Sequence, residues 1–200
     1  MKYAVLGLLI FSFASCAGSP ELVKSPLLSL RDKSPVLIGA FNAETDAFRR
    51  NEGTKVSLFY YPAEKALLMQ FAYEYVIYRQ YWDEKAVAAL KVSLARFGEE
   101  CIGGKLTLKG ARARRAYGRV SLMAEWQSFS FSGPFLAFPS AGMGYSFRDG
   151  SPYFLLLQNE AAEKNFPSRN IMSRRIAASF TLPQALALSA LLDLLQGGEE

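Results

Sequence analysis

From Lys55 onward the chain alternates. Val56, Leu58 and Tyr60 interleave with Ser57, Phe59 and Tyr61 until Pro62 ends the run, which is a strand pattern. Ala66 to Arg79 repeats the pattern at greater length, with Leu67, Met69, Phe71, Tyr73, Tyr75 and Ile77 on one face. Pro62-Ala63-Glu64 makes the two runs a hairpin. The period then changes. Val87, Leu90, Leu94 and Phe97 recur at helical spacing behind Asp83, a good N-cap, and Trp82 and Val87 stand as a hydrophobic staple, with Gly98 as the stop. A weak strand follows at Leu106–Leu108. A longer one spans Gly118 to Phe131, whose apolar phase slips near Ser128 and so predicts a bulge. Asp149-Gly150 predicts a hairpin turn between arms at 142–148 and 153–158. Ile176, Ala178 and Phe180 mark a last strand. Thr181 to Gln184 then reads as a capping box opening a Leu-rich helix. Strands in meander order with two helices outside the run predict an α+β fold: an antiparallel sheet of about six strands with two helices packed on one face.

The first residues follow a different rule. Lys2 is followed by an apolar run from Ala4 to Phe13, too short to span a bilayer, and then by the small residues Ala14 and Ser15 before Cys16. Phe13-Ala14-Ser15-Cys16 resembles the lipobox of bacterial lipoproteins, with Phe13 where Leu is usual, a looseness typical of spirochaete lipoproteins. The body is similar to uncharacterised spirochaete lipoprotein domains. The resemblance implies cleavage before Cys16, acylation of its thiol, and export to a bacterial membrane, on its periplasmic face or at the cell surface. Two or three acyl chains would hold the protein there stably. The expected organisation is a signal peptide over residues 1–15, a lipidated N-terminus, tether and lead-in segment over 16–53, rich in Pro, Gly and Ser, and the α+β domain over 54–200.

Composition mostly excludes. The 200 residues are half hydrophobic and one-fifth charged, enough for one sizeable core. There is no histidine, which removes Ser-His and Cys-His nucleophilic pairs and His-ligated zinc. Two cysteines are too few for a disulfide framework. The net charge of +5 is mild, and nucleic acid is not the expected partner. No cofactor is expected, and no catalytic motif appears.

Four features are candidates for function. Lys105, Lys109, Arg112, Arg114, Arg115 and Arg119 form a basic stretch without an acid, suited to anions or lipid headgroups, or simply a solvated edge. Tyr73, Tyr75, Tyr78 and Trp126 are candidates for an aromatic groove holding an apolar or saccharide ligand, against the plainer reading of cross-strand packing. The Leu-rich C-terminal helix suits either the core or a membrane interface. Glu74 and Glu125, mid-strand, would form an acid/base pair only if their strands met. The functional expectation is a lipid-anchored envelope protein with a non-catalytic binding or structural role, its partner another envelope protein or a small ligand. Membrane insertion by the last helix and a carboxylate-dependent hydrolase are the rivals.

Overall fold

The computed structural model describes residues 25–45, 53–73, 76–107, 113–128, 134–165 and 170–196. Asp83 caps the long helix α1 (Glu84–Ile102), its carboxylate accepting from the Ala86 N–H at 2.8 Å. The helix runs through Gly98 and stops at Gly103, because Gly98 faces inward at a close helix contact: a Cβ there would meet Leu186 at 3.0 Å. Thr181 and Gln184 form the expected reciprocal cap of α2 (Leu182–Gln196), with N–H to side-chain distances of 2.9 and 3.4 Å. Asp149 and Gly150 both adopt positive φ, 47° and 78°, as a tight hairpin turn between two right-twisted strands requires.

The described residues hold ten strands, not about six, in one antiparallel sheet. In chain order these are β1 (Val36–Thr45), β2 (Gly53–Tyr61), β3 (Ala66–Tyr73), β4 (Val76–Trp82), β5 (Gly118–Ser121), β6 (Met123–Ser128), β7 (Phe135–Ala137), β8 (Ser140–Arg148), β9 (Ser151–Gln158) and β10 (Ile176–Phe180). Their order across the sheet is β5-β8-β9-β10-β1-β2-β3-β4-β6-β7. Four departures from the sequence reading account for the extra strands, one of them being β7 (Phe135–Ala137), which no pattern in the sequence predicted. Val36–Thr45, read as lead-in segment, is a central strand paired with both β2 and β10. The alternation over 66–79 is two antiparallel strands, β3 ending at Tyr73 and β4 beginning at Val76, so Phe71 faces Tyr78 across the pair. The run 118–131 breaks at Leu122, and its described halves join different parts of the sheet; the bulge expected near Ser128 falls at 129–131, outside the described residues. Leu106 and Thr107 form no strand.

This order forces curvature. β5 and β6 are first and ninth across the sheet, which would separate them by roughly 38 Å if it were flat. Only Leu122 connects them. β4 and β9 are five places apart, roughly 24 Å if flat, yet Gln80 on β4 donates to Gln158 on β9 at 2.9 Å. Gln158 in turn donates to the Tyr78 hydroxyl at 2.7 Å. The sheet is therefore rolled into a half-barrel, and these amides bridge its hollow side.

Both α-helices lie in that concave side rather than on a flat face. Val87, Leu90, Leu94 and Phe97 of α1 and Ala185, Leu188 and Leu192 of α2 join one core with Leu58, Met69, Trp82, Phe154 and Phe180 of the sheet. Burying side chains of this size contributes about 1.5–3 kcal/mol each. The convex face is covered only in part. A 3-10 segment, Pro26–Asp32, seats Leu27 and Leu30 on Leu68, Tyr81, Met123 and Leu136. A second 3-10 turn, Ala113–Arg115, lies on β8, where Gly142 and Gly144 leave it room. A Cβ on Gly142 would meet the Arg115 Cγ at 2.7 Å, and one on Gly144 would overlap the backbone of Ala113 and Arg114.

Candidate functional site

Arg79, Gln70 and Glu125 have side chains on the convex face because each is one residue out of phase with the core positions Tyr78, Met69 and Ala124. β4 lies between β3 and β6, so Arg79 faces Gln70 on one side and Glu125 on the other. Its guanidinium donates to the Gln70 amide oxygen at 3.1 Å and to Glu125 at 2.8 Å. The 3-10 segment brings Arg31 to the second oxygen of Glu125, as an ion pair. The Glu125 side chain is 5% exposed and both arginine side chains 33%. A buried carboxylate thus stands between two half-covered cations, one local in the sheet and one from the far N-terminal segment.

This triad lines a hollow of about 500 Å³, within the size range of small-molecule sites. Phe59 supplies a half-buried ring to the wall, Tyr61 and Tyr81, each 3% exposed, form its buried backing, Gln70 and Gln127 supply amides, and Pro35 and Pro134 complete the lining. Lys33 and Asp32 stand at its edge, with Lys33 ion-paired to Glu64. Burial pushes the Tyr61 hydroxyl above its ordinary pKa, with the Arg79 charge opposing and the Glu125 charge adding. Burial also raises Tyr81, and there the Glu125 charge and then Tyr61 add to the effect. Both hydroxyls therefore stay protonated at neutral pH and can donate and accept. The charges around the hollow nearly cancel, so it offers directional hydrogen bonds and the half-buried Phe59 ring rather than a strong field.

The residues singled out in the sequence fall elsewhere. Tyr78 is 2% exposed and Trp126 half-buried; their rings stack at 5.8 Å inside the concave core, and Phe135 stacks on Trp126 at 5.6 Å. These two pack against the concave core; Tyr75 and the side chain of Tyr73 lie outside the described residues. The basic stretch is spread over three elements. Lys105 is exposed just beyond α1, Arg114 and Arg115 are on the 3-10 turn over β8, and Arg119 is exposed on the edge strand β5. Lys109, Arg112 and Cys16 lie outside the described residues. Glu125 was singled out as an acid/base partner of Glu74, which is not among the described residues; its described partners are Arg31 and Arg79. α2 is mainly a core helix, with Ala185, Leu188 and Leu192 fully buried, although Leu186 and Leu194 are 41% and 76% exposed. No helix among the described residues is long and apolar enough to cross a membrane. Sequence reasoning missed Arg31, Arg79 and Gln70. The only signal was a single polar residue out of phase with the core in each strand, Gln70 in β3 and Arg79 in β4, which also fits a plain solvated face.

Fold and site together define a class: an α+β half-barrel filled by two helices, with a polar, ligand-sized hollow on its outer face. The chain belongs to the family described as uncharacterised Treponema protein, whose family model matches residues 27–196. No curated protein and no solved structure matches it.

Proposed function

We propose that this protein is a non-catalytic, lipid-anchored binding protein of the bacterial envelope, and that the hollow under Pro26–Asp32 takes a neutral polyhydroxylated ligand of the saccharide class. The observation that carries the reading is the buried Glu125 carboxylate held between Arg31 and Arg79 in a hollow of about 500 Å³. Fixed donors and acceptors next to the half-buried Phe59 ring suit hydroxyl-rich ligands. The near balance of charge around the hollow favours a neutral ligand over a strongly anionic one. The expected anchor is Cys16, nine residues before Ser25, where the described structure begins.

The binding test is a titration of the full chain, in a non-ionic detergent, with chitotetraose, followed by aromatic fluorescence. Saturable quenching is expected, and Gln127→Ala should weaken it several-fold, since one lost hydrogen bond is worth about 0.5–1.5 kcal/mol. Gln127 is exposed, so its loss should not disturb folding. No saturable response from chitotetraose, or one unaltered by Gln127→Ala, would reject this ligand class. The anchor test is Cys16→Ser, which should move the protein out of the detergent phase. Unchanged partitioning and mass would dismiss lipidation.

A further inference from the structure

A second hollow, of about 150 Å³, opens on the same convex face beside the turn Ala113–Arg115. It has room for about five waters, so it fits a functional group rather than a whole metabolite. Its floor is Leu155 and Leu157 of β9, and its walls carry Arg114, Arg148, Ser146 and Ser179. We propose that this hollow binds a phosphate group, either free or carried on an organic molecule.

Four observations support the assignment. First, the donors converge from separate elements: Arg114 from the 3-10 turn, Ser146 and Arg148 from β8, and Ser179 from β10. Second, the Ser146 hydroxyl is buried and has no hydrogen-bond partner among the described residues. A buried hydroxyl left unmatched costs about 1–3 kcal/mol, which a bound oxyanion would remove. Third, Arg148 is already held in place. It forms an ion pair with Glu44, donates to the Ser179 hydroxyl at 3.2 Å, and lies 5.7 Å from the centre of the Tyr153 ring. Fourth, Arg114 has no acidic partner among the described residues, so its charge faces the hollow unmatched by any of them. Glu44 offsets one of the two cations and leaves a net positive site. Two guanidinium groups and two hydroxyls match the several acceptor oxygens of a tetrahedral phosphate better than the two of a carboxylate.

The placement also gives the two-glycine spacing of Gly142 and Gly144 a function. By letting the turn lie directly on β8, it brings the exposed Arg114 to the wall of the hollow.

The test uses the full chain in a non-ionic detergent and two probes, inorganic phosphate and dihexanoyl phosphatidic acid, with chloride and dihexanoyl phosphatidylcholine as controls. Binding is read as a saturable rise in thermal midpoint and by calorimetry. Arg114→Gln should weaken binding about tenfold, the loss of one charge-assisted contact, while leaving the midpoint without phosphate unchanged. Ser146→Ala should weaken binding less. A response to inorganic phosphate would identify the free ion as a sufficient ligand. A response to phosphatidic acid alone, equally sensitive to Arg114→Gln, would identify a lipid headgroup. Binding of neither probe at millimolar concentration, or binding indifferent to Arg114→Gln, overturns the proposal.

Discussion

The hollow under Pro26–Asp32 and the hollow beside Ala113–Arg115 occupy opposite parts of one convex face, each roofed by a 3-10 segment and each carrying two arginines. They differ in what the arginines meet. In the first, Arg31 and Arg79 share the buried Glu125 carboxylate, and Asp32 with the Lys33–Glu64 pair at the edge brings the charges into balance. In the second, Arg148 is matched by Glu44 while Arg114 has no described acidic partner. The first also has more than three times the volume and more aromatic wall. Similar roofs over one sheet therefore make a nearly neutral hollow for hydrogen bonding and a small cationic hollow for an anion. One carboxylate more, Asp32 at the edge of the first hollow, separates them in net charge.

The largest expected way to break this contrast is Glu125→Ala. It leaves two partly covered guanidinium groups without their carboxylate. Removing one member of a buried pair costs about 3–5 kcal/mol, and the partial exposure of both arginines favours the lower end. A fall of about 3 kcal/mol in unfolding free energy, from urea titration, is expected. A loss under about 1 kcal/mol would mean that the triad is a surface ion pair of little weight. The phosphate response of the second hollow should survive the substitution wherever the protein remains folded.

Alkali should break both hollows together, because the strands beneath them are tied across the concave side. Tyr78 accepts from Gln158 there, and burial pushes its hydroxyl from 10.0 up to about 12. Below pH 10 the hydroxyl is protonated in folded and unfolded chains alike and adds no pH dependence. Between pH 10 and 12 the unfolded chain loses the proton and the folded one keeps it, so stability falls as pH rises. The expected loss is about 2–3 kcal/mol by pH 12. Tyr78→Phe should flatten that part of the stability profile, measured by urea titration across the range. An unchanged slope would show that Tyr78 is not the group responsible.

The smallest effect should discriminate best. Gly144→Ala forces the turn Ala113–Arg115 off β8 and should cost about 1–2 kcal/mol as local overpacking. It should abolish the phosphate response and leave chitotetraose binding intact. Loss of both would mean that the hollows are not independent.

Much of the local structure was legible in the sequence. The cap at Asp83, the capping box of Thr181 and Gln184, the Asp149-Gly150 turn and the Leu-rich helix each depend on side chains a few residues apart. Their signals are complete within a short window. The strand count was not legible. Whether the alternation 66–79 is one strand or two, and whether 118–131 stays in one part of the sheet, depends on which distant strand each half meets. Val36–Thr45 looked like a lead-in because Pro and Gly surround it. Its place is fixed by β2 and β10, and β10 lies more than 130 residues away.

The candidate sites divide in the same way. The sequence by itself determined an α+β chain without histidine, with a basic run near residues 105–119 and an N-terminus resembling a lipobox. Tertiary structure decided that Tyr78 and Trp126 are core, that the basic run is spread over three elements, and that Arg31 meets Glu125 from the far N-terminal segment. The physical reason is that alternation fixes which face of a strand a residue takes. The curl of the sheet alone fixes which face is inside, and what lies across from it.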